Sequence, residues 1–579
     1  MSLEEKKSSA ENLITQHLDT WTQAIETKSA AGRGSSSKLN LVGIQKLREL
    51  ILEMAVRGLL VPQDLNDEPA SELLKKIAAE KAQLIKDKKI KKTKALPEIS
   101  EDEKPFDLPS GWEWVRTGNT LDFQYGKSLP AKSRNEQGSI EVFGSNGVVG
   151  FHDEAIFEKP CIIIGRKGSA GALNKTLKPS WITDVAFFVE PPIGHNFDYT
   201  YLILKSLKLD ALGKGIKPGV NRNEAYKLPY ALPPLEEQKR IVSKVDNLMA
   251  LCDQLESQTL DSIATHQTLV ETLLGNLVNP ENTANFQAAW SLIAQNFDVL
   301  FTTEKSIDTL KQTILQLAVM GKLVPQNPND EPASELLKKI AAEKAQLIAD
   351  KKIKKSKPLP AITEAEKPFD LPNGWEWSRL PDLGELARGK SKHRPRNDPK
   401  LYIDGDIPLI QTGDVSSAKN TGGKITTYTA KYNQEGLEQS RLWSKGTLCI
   451  TIAANIADSG IMSFDACFPD SVVGFTPFIE EMDVKYFDLF IRTAKADLET
   501  FAPSTAQKNI NLQILSDLFV PLPPLNELNL IVAKVNELMT LCDQLKTQLQ
   551  TAQQTQTHLA QSIAQEALAL NWKFSINAK

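Results

Sequence analysis

A 29-residue stretch occurs twice in this chain, almost unchanged, and it indicates how the whole chain is organised. Residues 66–94 read NDEPASELLKKIAAEKAQLIKDKKIKKTK, and residues 329–357 read NDEPASELLKKIAAEKAQLIADKKIKKSK. The copies differ only at Lys86/Ala349 and Thr93/Ser356, and the offset between them is 263 residues. A repeat of this length predicts a molecule built from two like halves.

A second repeated block follows each copy, and the sequence between the two blocks differs. Lys104–Trp114 recurs as Lys367–Trp377 at the same offset. Leu232–Leu255 recurs as Leu522–Leu545 at an offset of 290, so the segment in between is 27 residues longer in the second copy. Differences confined to one segment per copy favour a constant frame that carries two different inserts. The alternative is a recent duplication in which one half has drifted.

Each insert is followed by a predicted helix with a narrow apolar stripe, spaced alternately by four and three residues. This spacing is the a/d seam of a coiled coil. The stripe consists of Ile241, Val245, Leu248, Cys252 and Leu255 after the first insert, and of Ile531, Val535, Leu538, Cys542, Leu545 and Leu549 after the second. A Pro-Pro pair lets these helices begin at Glu236 and Asn526. We expect the two helices to pair with each other; the alternative is that each packs on its own insert.

The ends of the chain resemble segments in its middle, so the repeat is cyclic. Leu13–Asp19 resembles Leu292–Asp298, and the helix near Thr551–Leu570 resembles the one near Asp261–Leu274. A pseudo-twofold molecule would follow. The predicted boundaries are 1–103 for an N-terminal helical region, 104–235 for the first insert, 236–366 for a central helical region with the repeat, 367–525 for the second insert and 526–579 for a C-terminal helix.

Both inserts read as β-rich with some helix, which makes the predicted fold class α+β. Short apolar runs alternate with turns rich in Gly, Pro and Asn, a pattern typical of strands. The runs are Ile140–Phe143, Cys161–Ile164 and Trp181–Val189 in the first insert, and Ile407–Gln411, Thr447–Ile452 and Val472–Ile479 in the second.

Composition excludes several classes of protein. Lys and Arg number 68 and Asp and Glu number 72, a net charge of −4, so the chain does not bind nucleic acid by bulk charge. Five Cys without a CxxC pair argue against a disulfide scaffold or a cysteine zinc cluster. The apolar runs are far shorter than the ~18 residues of a membrane span, and Met1–Lys7 lacks a signal core. We therefore expect a reduced, cytoplasmic protein.

Gly384–Ser391 matches the phosphate-loop pattern G-x-x-x-x-G-K-[ST], but its context argues against nucleotide binding. A phosphate loop must be followed by a helix, whereas Lys392–Pro399 contains two prolines and cannot continue as one. The first copy keeps Gly126–Ser128 but has Leu121 in place of the first glycine. A nucleotide hydrolase that uses Lys390 is the least favoured alternative.

A loop that meets DNA in both inserts is the better interpretation of Gly-Lys-Ser. Six positive charges lie between Arg388 and Lys400, opposed by Asp398 alone. Arg, Lys, Asn and Gln can reach donors and acceptors in the DNA grooves, although solvated turns have the same composition. The candidate DNA-contacting residues are Lys127, Ser128, Arg134, Asn146, Arg166, Lys167, Ser169, Lys217, Asn221 and Arg222 in the first insert, and Lys390, Ser391, Lys392, Arg394, Arg396, Gln411, Thr412, Ser504, Gln507, Lys508 and Asn509 in the second.

The chain resembles the type I restriction-modification specificity subunits over nearly its full length. The resemblance rests on two variable inserts between repeated regions, each with a Gly-Trp-Glu-Trp start and a Leu-Pro-Pro-Leu end. It also rests on the family-like segments Ile163–Gly171, Pro218–Arg222, Gly405–Asp414 and Ala506–Ile510.

The resemblance implies a function and a set of partners. Each insert would be a target recognition domain that reads one half of an asymmetric, bipartite DNA site, and antiparallel coiled-coil helices would separate the two domains. Two methyltransferase subunits and the restriction/translocase subunits would dock on the frame and hold S-adenosylmethionine, ATP and Mg²⁺.

The sequence also lacks the motifs of a catalyst. It has no Asn/Asp-Pro-Pro-Tyr/Phe motif for amino-methylation and no glycine-rich S-adenosylmethionine fingerprint, and its six His are dispersed. We therefore expect a non-catalytic subunit without cofactor or metal of its own. A coiled-coil scaffold whose inserts bind proteins is the alternative.

Overall fold

The chain forms two units, each assembled from parts of the frame and one insert. A computed structural model describes residues 14–28, 38–88, 95–135, 137–213, 219–279, 283–355, 359–393, 395–500 and 510–569. Unit 1 consists of residues 1–263 and 551–579, and unit 2 of residues 264–550. The C-terminal residues thus join the N-terminal ones, in agreement with a cyclic repeat. Within the described ranges, no helix has both the length and the apolar character needed to cross a membrane.

The frame of unit 1 precedes its insert. It contains helices α1 (Leu18–Gln23), α2 (Val42–Val56) and α3 (Ala70–Lys86), and strand β1 (Glu26–Lys28) paired with β2 (Lys38–Asn40). The first insert contains β3 (Glu113–Arg116), α4 (Thr117–Thr120), β4 (Gln124–Tyr125), β5 (Ile140–Gly144), β6 (Gly147–His152), β7 (Cys161–Gly165), β8 (Leu173–Thr176), β9 (Ser180–Ile182), β10 (Ala186–Val189), α5 (Phe197–Ser206), α6 (Arg222–Lys227) and β11 (Pro229–Leu232). The long helix α7 (Leu235–Val278) follows and ends in unit 2.

Unit 2 repeats this order. Its frame contains α8 (Thr283–Gln295), α9 (Phe297–Leu300), α10 (Glu304–Val319) and α11 (Ala333–Ala349). The second insert contains β12 (Glu376–Arg379), α12 (Leu380–Leu383), β13 (Gly384–Arg388), β14 (Ile407–Leu409), α13 (Thr412–Ser417), β15 (Lys424–Ile425), β16 (Ala430–Tyr432), α14 (Gln434–Glu438), β17 (Leu448–Thr451), β18 (Ser459–Met462), β19 (Val472–Pro477), α15 (Val484–Thr493), α16 (Lys495–Thr500), α17 (Leu512–Asp517) and β20 (Phe519–Leu522). The long helix α18 (Leu525–Ala569) follows and ends in unit 1.

Two sheet-rich inserts and two long helices confirm the predicted fold class, with three local corrections. The run Trp181–Val189 is two strands, β9 and β10, because a turn at Thr183–Val185 separates them. The run that reaches Gln411 ends as a strand at Leu409, since Gln411 is the N-cap of α13. Both long helices begin one residue before the predicted starts Glu236 and Asn526.

Each insert leaves and rejoins the frame at the same place. Strand β3 pairs with β11 in antiparallel register, and β12 pairs with β20 in the same way. Beside each ladder, a buried tryptophan indole donates to a glutamate in the first turn of the long helix. Trp112 bonds Glu237 at 2.9 Å, and Trp375 bonds Glu527 at 3.0 Å. The ends of an insert are therefore clamped together, which allows its interior to vary without moving the frame.

The apolar stripe of each long helix packs on a frame helix of its own unit. Ile241, Val245 and Cys252 are buried in one core with residues of α2, and Ile531, Val535 and Cys542 are buried in one core with residues of α10. Arg48 of α2 bonds Asp253 of α7 at 2.6 Å, and Lys311 of α10 pairs with Asp543 of α18. The sequence did not indicate these partners. Pairing of the two long helices with each other stays a prediction.

Candidate nucleic-acid interface

The two inserts share one sheet topology although their sequences barely resemble each other. In the first insert the strand order is β4-β10-β7-β8, and in the second it is β13-β19-β17-β18-β15. The connection between the edge strand and the middle strand, β4 to β7 or β13 to β17, is longer in the second insert, where it contains β14, β15, β16, α13 and α14 in place of β5 and β6. The equivalent strands allow residues of the two inserts to be matched by register.

One end of each sheet collects many of the predicted contact residues; we call it the loop end. At the loop end of the first insert, strands β4 and β7 end and β10 begins. At the loop end of the second insert, β13 and β17 end and β19 begins. Gly126 N donates to Ala186 O at 3.3 Å, and Gly389 N donates to Val472 O at 2.9 Å. The match confirms that the two Gly-Lys-Ser segments are equivalent and places both at the loop end.

The first insert brings two arginines over one tyrosine at its loop end. The guanidinium of Arg166 lies 5.2 Å from the ring centroid of Tyr125, and that of Arg222 lies 4.9 Å from it. Tyr125 is exposed, and Arg166 and Arg222 are half-buried. Cation–π contact of this kind orients a guanidinium while leaving N–H groups available to a ligand.

Three further predicted residues of the first insert are Lys167 and Ser169, on the loop after β7, and Asn146, on the turn between β5 and β6. Lys167 is exposed, and its segment forms a bridge to Gly219. If Gly165 were replaced by a residue with a side chain, its Cβ would lie within 2.4 Å of the carbonyl oxygens of both Ser145 and Ser169. The turn with Asn146 therefore lies against the loop with Ser169, and glycine is required between them because any side chain would displace both.

The remaining predicted residues of the first insert differ in their surroundings. Lys127 and Ser128 are exposed, and the Lys127 carbonyl accepts a bond from Trp181 at 3.0 Å. Arg134 donates to Leu129 O at 3.0 Å and is half-buried, so it is held by its own segment. The Asn221 side chain caps α6 by accepting from Asn223 N at 2.9 Å, a structural role.

The Gly384–Ser391 segment is not a phosphate loop. Gly384–Arg388 forms strand β13, which pairs with β19 along its whole length, and no helix follows among the described residues up to His393. Gly389 is needed for a different reason: a Cβ there would lie 2.2 Å from Phe468 O. The glycine therefore permits close backbone packing, which removes the basis for a nucleotide site at Lys390.

The basic loop of the second insert is less positive than its sequence suggested. Arg396 bonds the carboxylate of Asp470 at 2.7 Å, an acid that lies far away in sequence. His393 bonds Asp398 at 2.8 Å, and this contact lowers the pKa of Asp398. Asp470, which lies outside this stretch, therefore opposes its positive charges together with Asp398. Lys390, Lys392 and Lys400 are exposed, so a net positive surface is still present.

Other predicted residues of the second insert belong to its folded interior or lie near the loop end. Ser391 hydrogen-bonds Tyr432, whose pKa burial raises to about 12. Gln411 and Thr412 begin α13, and the Gln411 N–H donates to Asp414 at 2.7 Å. Both are half-buried. Lys217, Arg394, Ser504, Gln507, Lys508 and Asn509 lie outside the described residues.

Comparison with known proteins places the chain in a family. The model of the type I restriction modification DNA specificity domain matches residues 109–265 and 372–552. The chain belongs to the type I restriction-modification specificity subunits. This confirms the resemblance seen in the sequence, and with it a subunit that recognises DNA and does not catalyse.

Similar specificity subunits match along their full length. The type I restriction enzyme EcoAI specificity subunit of Escherichia coli is 39% identical over 97% of this chain and 100% of the relative. The EcoEI specificity subunit of Escherichia coli is 40% identical over 96% and 99%. Among solved structures, the HsdS subunit from Thermoanaerobacter tengcongensis matches with a TM-score of 0.38 and 17% identity, over 80% of this chain and 98% of that one.

Sequence reasoning missed a further loop at the loop end of the second insert of this specificity subunit. Val220 N donates to Arg166 O at 2.9 Å, and Ile510 N donates to Ile452 O at 2.9 Å, so the loops that follow β7 and β17 are equivalent. The first has positive φ at Gly168 and Gly171, and the second has it at Ala454 and Ala457. The second loop lacks the glycines that mark the first, and alanine rarely adopts this conformation.

The missed loop adds Asn455 to the candidate contacts. Asn455 is exposed and donates to Ser416 of α13 at 2.8 Å, next to Gln411 and Thr412. Asparagine is the residue type that pairs with adenine in the major groove. Tyr125 was also missed, although its place one residue before Gly126–Ser128 could have drawn attention to it.

Proposed function

We propose that this specificity subunit recognises an asymmetric, bipartite DNA site, with one insert reading each half-site. The proposal rests on a comparison of the side chains at the loop ends of the two inserts. Both inserts build the loop end on the same sheet, yet register places Ala453 where the first insert has Lys167, and Leu512 where it has Arg222. Two inserts with the same sheet but different side chains at the same edge are suited to recognising different base sequences.

The proposed division of labour follows the repeat. Residues 104–235 and 367–525 act as target recognition domains, and residues 1–103, 236–366 and 526–579 form the helical frame that holds them at a fixed separation. The proposed contacts are the exposed and half-buried candidates at or near the loop ends: Lys127, Ser128, Asn146, Arg166, Lys167, Ser169 and Arg222 in the first insert, and Lys390, Lys392, Arg396, Gln411, Thr412 and Asn455 in the second.

The frame is proposed to bind the other subunits in the cytoplasm. Two methyltransferase subunits and the restriction/translocase subunits would dock on it and supply S-adenosylmethionine, ATP and Mg²⁺. The near-identity of residues 66–94 and 329–357, one stretch in each frame copy, supports two equivalent docking positions, since like surfaces bind like partners.

Mapping of methylated adenine across the genome, with and without this chain, tests the proposal. We expect adenine methylation that depends on the chain and falls in a single motif with two unlike halves separated by unspecified bases. Methylation that is unchanged when the chain is removed, or that falls in an uninterrupted motif, would contradict the proposal.

A further inference from the structure

The two inserts hold one guanidinium in the same place but supply it from different strands. In the first insert, Arg166 lies just after β7 and donates through Nε and Nη2 to the carbonyl of Asp184, at 3.1 and 2.6 Å. In the second insert, Arg388 ends β13 and donates through Nε to the carbonyl of Asp470 at 2.8 Å. Each aspartate lies two residues before the equivalent strand, β10 or β19.

Strand register shows that these arginines are not equivalent in sequence. Tyr125 of β4 pairs with Phe187 of β10, and Arg388 of β13 pairs with Val473 of β19. Arg388 therefore occupies the position of Tyr125, whereas the position of Arg166 holds Ile452. The second insert thus lacks an arginine at the position of Arg166 but has one at the position of Tyr125. Its guanidinium nevertheless bonds the carbonyl that is equivalent to the one bonded by Arg166. What the inserts have in common is the charge at this point of the loop end.

The contact leaves part of each guanidinium available. Both arginines bond a main-chain carbonyl rather than a carboxylate, and the carboxylate of Asp470 pairs instead with Arg396 at 2.7 Å. The Nη1 donors of Arg166 and Arg388 are not used by these carbonyl contacts, and a guanidinium held along one edge presents its other N–H groups in a fixed fork. This fork fits a pair of oxygen acceptors.

The nature of the acceptor follows from what two unlike half-sites share. A contact present in both inserts cannot account for a difference between their half-sites, because it is the same in each. The DNA feature common to every sequence is the phosphate backbone. We propose that Arg166 and Arg388 make equivalent phosphate contacts, one per half-site, and so set the position of each insert on the duplex. This inference rests on the proposed function.

The salt dependence of binding tests it, measured on the complex with the methyltransferase subunits. The Kd for the target duplex and for an unrelated duplex is determined over a range of salt concentrations. For R166A and for R388A we expect the slope of log K against log salt to fall by about 1 on both duplexes, and by about 2 for the double variant. R166K and R388K keep the charge and should keep the slope.

Lys178→Ala and Lys445→Ala are matched controls. Both lysines are exposed and lie at the opposite end of the sheet from the arginines, after β8 and before β17. We expect their slopes to equal that of the unaltered complex.

An unchanged slope in R166A and R388A would overturn the inference. So would a variant that relaxes recognition of a single base pair while its slope is kept, because that result identifies a base contact. If the unaltered complex does not distinguish the two duplexes, the proposed function fails, whereas a lower slope in the arginine variants would still support the phosphate contacts.

Discussion

Replacement of residues 380–518 by the corresponding segment of another specificity subunit will change one half of the methylated target and leave the other half unaltered. The exchanged segment lies inside the β12–β20 ladder, where Arg379 pairs with Phe519. The Trp375–Glu527 contact outside the ladder is retained. Each mismatched base pair costs about 1–3 kcal/mol, so several in one half-site should remove binding to the former target.

Adenine methylation mapping in cells that carry the exchanged chain measures this result. Exchange of residues 329–357 for the sequence of residues 66–94 is the control, because it changes only Ala349 to Lys and Ser356 to Thr and should leave the target as it was. A shift in both halves after exchange of the single insert would show that the inserts do not read independently.

Gly321→Ala will destabilise the protein strongly, because Gly321 lies where the frame meets the second insert. Its φ is +68°, and a Cβ would stand 2.6 Å from Pro372 Cγ and 2.8 Å from Trp375 Cζ2. Left-handed backbone costs a side chain roughly 1–2 kcal/mol, and overpacking adds about 1–3 kcal/mol. We expect Gly58→Ala to have a similar effect, since a Cβ there would meet Pro109 and Trp112.

Denaturant titration followed by tryptophan fluorescence measures the free energy of unfolding of these variants. Gly275→Ala is the matched control: Gly275 lies within helix α7, and beyond the helix's own adjacent backbone no described atom lies within 4 Å of its Cβ position. Alanine there should stabilise the protein by roughly 0.5–1 kcal/mol. If Gly321→Ala proves as stable as Gly275→Ala, the proposed packing of the junction is wrong.

The frame could be predicted from sequence because its signals are local. The heptad stripe after each Pro-Pro pair predicted a helix, and the structure contains both helices. The contacts that join frame and insert were not predictable, since Trp112 and Glu237 are 125 residues apart and no periodic pattern links them.

The candidate nucleic-acid interface was predicted in part, for a related reason. Glycine, lysine and arginine marked Gly126–Ser128 and Arg166–Ser169, which the structure brings to the loop end. The loop after Ile452 carries none of these signals, because Ala454 and Ala457 adopt the conformation usually left to glycine. The neutralisation of Arg396 by Asp470 depends on strand pairing between distant segments, which composition does not specify.

A change in the gap between the half-sites tests most directly whether one frame holds two unlike readers at a set separation. The Kd of the complex with the methyltransferase subunits is measured for duplexes in which the gap is lengthened by one base pair at a time. Each added base pair turns one half-site by about 34° around the helix axis, so the account predicts loss of specific binding at the first insertions. Equal affinity for every gap length would contradict it.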